Sequence, residues 1–210
     1  MDGFTGYDFS MDGATLGFDH EVGDGLIAGI SMGCSHADID FDHQQGDGSI
    51  KSRIGSVYGS YFTRNLSIDG ALSYGRNGYD SHRLITVGQL QERASSDHDG
   101  DLFSAYLKTG YHHDFNTWLV GPFASLQYIS LDEESFTEEG AGSLNLKVDN
   151  RRSSALVSEF GLCLARVIEV KYGSLVPELT ASWLHDFDID DRMITSSFAG
   201  SPGTSFSIRG

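Results

Sequence analysis

The stretch "LSIDGALSYG", residues 66–75, reads large, small, large, small. Leu66, Ile68, Leu72 and Tyr74 share one parity, and Ser67, Asp69, Ala71, Ser73 and Gly75 share the other. Successive side chains of a strand point to opposite faces, so this is a two-faced strand. A soluble half-buried strand turns its apolar face to the core and its polar face to water. Here the second face is small and carries a carboxylate. An inverted arrangement, with the large residues outward and the small polar ones inward, therefore competes with the ordinary one.

The same two faces recur along the chain. From residue 26 to 36, Leu26, Ala28, Ile30 and Met32 alternate with Ile27, Gly29, Ser31, Gly33 and Ser35. Phe103, Ala105, Leu107 and Tyr111 oppose Ser104, Tyr106, Lys108 and Gly110. Leu156, Phe160, Leu162 and Leu164 oppose Glu159, Gly161 and Cys163, while Leu179, Ala181 and Trp183 oppose Glu178, Thr180 and Ser182. Asp69, Lys108, Glu159 and Glu178 would be costly in a dry core unless paired, but suit a hydrated lumen. Leu66, Ile68, Leu72, Tyr74, Phe103, Leu107, Phe160, Leu162 and Leu164 are then expected to face lipid. Two roles fit the four charged residues: solvating a pore and holding its shape by cross-lumen pairing, or touching a polypeptide inside it.

Strands are expected at 7–22, 25–38, 50–64, 66–80, 98–115, 117–134, 144–170 and 173–190, with a ninth opening near Thr204. Hairpin-sized links, "VGDG" (22–25), "RN" (64–65), "FN" (115–116) and "KYG" (171–173), alternate with long polar ones at 38–49, 77–100, 130–143 and 188–203. In an up-and-down meander every second connection lies at the same end. The pattern thus gathers tight turns at one rim and long loops at the other, as in outer-membrane barrels. Aromatic residues near the short turns (Tyr61, Phe62, Phe115, Trp118, Tyr172) and toward the long loops (Tyr74, Tyr79, Tyr128, Trp183, Phe187) suit two interfacial belts. The core of a soluble barrel would also use aromatic residues. Nine strands do not make an even-numbered closed barrel, so a larger barrel cut at both ends is expected, with residues 1–210 as one domain fragment.

Composition narrows the function. Twenty-six glycines, three prolines and abundant Phe and Tyr favour strands and turns over helices. A formal charge of −16 argues against a nucleic-acid partner. Cys34 and Cys163 form no C-x-x-C pair, residues 1–13 are not expected to act as a signal peptide, and no apolar run is long enough for a membrane-spanning helix. "GISMG" (29–33) matches a hydrolase nucleophile elbow, but Ser31 lies mid-strand where the elbow needs a strand-to-helix turn. His112 and His113 point to opposite faces of a strand and make a poor shared metal site. "DHDGD" (97–101) lacks the spaced glutamate of a calcium loop. No catalytic, metal, cofactor or nucleotide site is expected.

"GATLGFDHEVGDGLIAGISMGCSHADID" (13–40), "SVYGSYFTRNLSIDGALSYGRNGYDSHR" (56–83), "VPELTASWLHDF" (176–187) and "SSFAGSPGTSFSIRG" (196–210) resemble the β-barrel translocator domain of autotransporters, the type V secretion proteins of Gram-negative bacteria. The resemblance covers essentially the whole chain, and the last two motifs are its most specific part. It implies an all-β, antiparallel up-and-down transmembrane barrel of twelve strands in the bacterial outer membrane. Its implied partners are outer-membrane lipid, an N-terminal passenger with its linker helix, and the barrel-assembly machinery. It implies a transport role and no enzymatic one. A porin-like or adhesin-like barrel, or a soluble ligand-binding barrel, are the alternatives.

Overall fold

The computed structural model describes residues 6–41, 45–115, 118–188, 193–201 and 203–209. Its strands are β1 (Tyr7–Gly23), β2 (Leu26–Phe41), β3 (Gly46–Phe62), β4 (Leu66–Val87), β5 (Leu90–Tyr111), β6 (His113–Phe115), β7 (Trp118–Glu133) and β8 (Phe136–Thr137). They continue as β9 (Leu146–Val148), β10 (Arg151–Arg166), β11 (Ile168–Val170), β12 (Gly173–Leu175), β13 (Glu178–Asp188), β14 (Met193–Phe198) and β15 (Ser205–Arg209). One antiparallel sheet runs β1-β2-β3-β4-β5-β7-β10-β13, with β6 paired to β7. Each long strand pairs with the next long strand in sequence, which is the expected up-and-down meander. The sheet is open, with β1 and β13 as its edges.

The turns explain the register. At Asp24 and Gly25, Gly25 adopts φ +70 and the β1–β2 register shifts between Glu21 and Gly23, a bulged turn that twists the hairpin. A side chain at Gly25 would collide with the Phe62 carbonyl, whose own amide donates to Gly25 O at 2.7 Å. The turn is thereby tied to the end of β3. The predicted turn at 115–116 lies partly outside the described residues.

The long polar links differ most from expectation. Residues 77–100 do not form a loop: β4 and β5 continue as a hairpin, paired from Leu66↔Tyr111 to Val87↔Leu90 and turned at Gly88 (φ +64) and Gln89. Backbone ladder bonds sustain this extension without an apolar face, so sequence alternation does not reveal it. The link at 38–49 shortens likewise, because β2 runs to Phe41 and β3 starts at Gly46; residues 42–44 lie outside the described set. The expected strand 144–170 is three strands, β9, β10 and β11. Residues 173–190 divide into β12 and β13. The ninth expected strand is β15, which pairs with β14 in a small separate sheet, β15-β14-β9-β8.

Among the described residues the buried apolar set is Ala94, Ala141, Val148 and Ala165, and no large side chain is fully buried. Large apolar residues stand exposed instead, Leu16 at 82%, Met32 at 75% and Phe18 at 72%. A soluble sheet of this length would cover such a surface.

Candidate functional site on the polar face

Cross-strand partners share a face, so the register maps both surfaces. One row runs Phe18, Ile30, Val57, Leu72, Ala105, Tyr128, Leu156 and Phe187. Leu66, Ile68, Leu72, Tyr74, Phe103, Leu107, Phe160, Leu162 and Leu164 all lie on this face, and all but Leu66 and Leu164 are exposed. Asp69, Lys108, Glu159 and Glu178 lie on the other. Two aromatic residues differ from the expected belts: Phe62 (opposite Ser67) and Tyr79 (opposite His98) sit on the polar face. Tyr79 does so because it shares the parity of Asp69 on β4.

The register brings three of the four charged residues into one row, Ser60, Asp69, Lys108, Ser125 and Glu159 on adjacent strands. Ser60 Oγ donates to Asp69 Oδ1 at 2.6 Å, and Ser125 Oγ donates to Glu159 Oε2 at 3.4 Å. Lys108 lies between Asp69 and Glu159 in the row, and its Nζ stands 4.5 Å above the Phe123 ring, a cation–π contact. Glu178 lies opposite Ala165, nearer the short turns, and accepts from Thr180 Oγ1 at 3.3 Å. A hollow of about 350 Å³ joins it to Asp69, Lys108, Phe123 and Cys163. Ser31 lies in the row Gly17, Ser31, Ser56, Ser73 and Ser104, mid-strand, and the Ser56 and Ser73 hydroxyls are 2.8 Å apart.

Residues that alternation alone did not single out complete this face. Tyr58 lies across Gly29 and donates to Asp19 Oδ2 at 3.0 Å. A Cβ on Gly29 would stand 2.5 Å from Tyr58 Cζ, so the glycine makes room for the ring. Nearer the long loops, Arg83 holds Glu138 with two hydrogen bonds, 3.0 and 2.6 Å, and Glu138 also accepts from the Leu146 amide at 2.7 Å. Glu133 takes a forked pair from Arg151. Both glutamates are buried, as paired carboxylates can be. His98 stacks between Tyr79 (4.8 Å) and Phe136 (4.2 Å), with Nε2 3.8 Å from Glu133. Burial lowers its pKa below the usual histidine value, against the opposing pull of Glu133. These contacts fasten the segment 134–150 to the extended β4–β5 hairpin.

Comparisons with known proteins agree with this geometry. The chain is 28% identical over 189 residues to Outer membrane protein A of Rickettsia conorii, covering 84% of this chain and 9% of that protein. It is 24% identical over 203 residues to esterase EstA of Pseudomonas aeruginosa, covering 93% of this chain and 30% of that one. The chain thus spans less than a third of either relative. Among solved structures it resembles the translocator domain of autotransporter NalP from Neisseria meningitidis (TM-score 0.72, 18% identity, 97% of this chain and 76% of that one). It also resembles the β-domain of the Bordetella autotransporter BrkA (TM-score 0.61, 19% identity, 97% and 86%). Those two likenesses show the fold. The family model described as the autotransporter beta-domain matches residues 1–210, and the chain belongs to that family.

Proposed function

We propose that this chain is the membrane-embedded part of an outer-membrane autotransporter, which anchors an N-terminal passenger and carries it to the cell surface. The observation that carries this reading is the pair of faces: exposed large apolar residues on one, and the polar row of Asp69, Lys108 and Glu159 on the other. In a bilayer the first face is solvated by lipid and the second lines a hydrated lumen through which an extended polypeptide can pass. Leu66, Ile68, Leu72, Tyr74 and their cross-strand partners form the lipid-facing wall. The four charged side chains keep the lumen wet. Open sheet edges are not tolerated in hydrocarbon, so β1 and β13 need strand partners for closure. The passenger's linker, outer-membrane lipid and the barrel-assembly machinery are its partners. The esterase and extracellular serine protease activities named for relatives belong, on this reading, to the parts of those proteins outside the matched region.

Charge reversal in the full-length protein tests the lumen assignment. Glu159→Lys, which takes the row of Asp69, Lys108 and Glu159 from a net negative to a net positive charge, and Lys108→Glu, made separately and adding negative charge, are expected to shift ion selectivity in opposite directions in planar bilayers. Display of the passenger is measured in parallel by its sensitivity to external protease. Unchanged selectivity would remove these residues from the lumen, and a passenger never displayed by the unaltered protein would remove the transport role.

A further inference from the structure

The apolar face carries a hollow midway along β1, β2 and β3, in the row that Tyr74 and Phe103 continue. Two rows of side chains bound it, Leu16, Met32 and Gly55 below and Ala14, Cys34 and Arg53 above, over the backbone of Thr15, Gly33 and Ile54. Its volume is about 700 Å³. Gly55 leaves it open, since nothing lies within 4 Å of where a side chain would begin. Leu16 and Met32 wall it with exposed apolar surface.

The upper rim is cationic. Arg53 faces Arg76 across the β3–β4 pair, and Lys51 is the next residue of β3 on the same face. Arg76 is engaged by Asp99 at 2.8 Å, and the neighbouring Asp38 is engaged by His36 at 3.2 Å. Among the described residues, Arg53 and Lys51 make no ion pair or hydrogen bond, although the chain has 30 acidic residues for 14 basic ones. Two exposed, unpartnered cations thus stand directly above an apolar hollow. This is the complement of an amphiphile with an anionic head and an acyl chain beneath it.

We propose that this hollow seats an acyl chain of a phosphorylated lipid of the surface leaflet, with Arg53 and Lys51 on its phosphate. The guanidinium fork matches phosphate oxygens, and cations at a membrane interface attract anionic head groups. The site rests on the membrane reading above. It assigns β1 to β3 a selective lipid contact that the general apolar wall lacks.

The test uses the full-length protein in phosphatidylcholine nanodiscs doped with lipid A or its dephosphorylated form, and retained lipid is counted by native mass spectrometry. The unaltered protein is expected to retain lipid A in preference to the dephosphorylated form. Arg53→Glu with Lys51→Gln should lower that retention about tenfold. Gly55→Leu, which fills the hollow and spares both cations, should also lower it. Arg152→Gln, in the same row but four strands away on β10, should leave it unchanged. Equal retention in the charge-reversed variant, or of the dephosphorylated lipid, overturns the proposal. Heat-modifiable gel mobility of the same samples reports insertion. An inserted protein without selective retention defeats this site alone, whereas an unaltered protein that never inserts defeats the membrane reading and the site with it.

Discussion

Leu107→Arg places a charge at the centre of the proposed lipid-facing wall. On β5, Leu107 lies midway between Phe103 and Tyr111, two aromatic residues of the same face. At about 3.4 Å per residue the eight steps between those rings cover about 27 Å, and a strand tilt near 40° reduces this to about 21 Å of membrane depth. That distance fits an apolar band of about 25 Å and puts Leu107 close to its midplane. Arginine facing lipid at that depth costs about 2–4 kcal/mol, a shift of roughly 30- to 1,000-fold in the folding equilibrium. Lys108, one residue on, already carries a cation at the same depth on the opposite face. Gln127→Arg, whose position lies opposite Tyr106 on the polar face, should therefore cost less than about 1 kcal/mol. Reversible guanidinium unfolding of the full-length protein in lipid vesicles, followed by tryptophan fluorescence, measures both. Equal costs, or a larger cost for Gln127→Arg, would refute the assignment of faces.

Three further outcomes follow from the contacts. Gly29→Leu forces the Tyr58 ring off Asp19 and should destabilise the protein by about 1–3 kcal/mol, with Tyr58→Ser recovering most of the loss; unfolding of the two single variants and the double variant checks this. Arg83→Ala strips buried Glu138 of its partner and should expose 134–150 to limited proteolysis while the main sheet unfolds at an unchanged denaturant midpoint; unaltered cleavage would show that this ion pair does not fasten the loop. His98 has a folded pKa below its unfolded value near 6.5, so the unfolded state binds the proton more readily and stability falls with pH below about 6.5 until the folded pKa is passed. Hydrogen exchange around residues 96–100 and 130–137, corrected for intrinsic rates, should accelerate at pH 5.5 relative to pH 7.5 in the unaltered protein and not in His98→Phe.

The alternation of 66–75 is legible because a two-faced strand leaves its period in the side chains, and β2, β5, β10 and β13 carry the same mark. The short turns were legible through glycine and asparagine. The β4–β5 extension was not, since both of its faces are polar and its pairing rests on backbone bonds that leave no side-chain period. Tyr79 falls in the expected strand 66–80 with the parity of Asp69 and not of Tyr74, so its place in a belt conflicts with the period itself. Glu133 and Glu138 read as part of the long polar link 130–143, and only the fold brings Arg151 and Arg83 to them. Arg53 and Lys51 gave no signal in one dimension, because the hollow beneath them is made by three strands.

Thiol accessibility across residues 67–74 tests the inverted sheet most directly. In the full-length protein with Cys34→Ser and Cys163→Ser, single cysteines are introduced in turn, and membranes are probed with a water-soluble maleimide and with bilayer-confined fluorescence quenchers. Cysteines at 69, 71 and 73 should react with the maleimide, and those at 68, 72 and 74 should resist it while their fluorophores are quenched from the bilayer. The opposite phase, or reactivity without a period of two, would contradict the account.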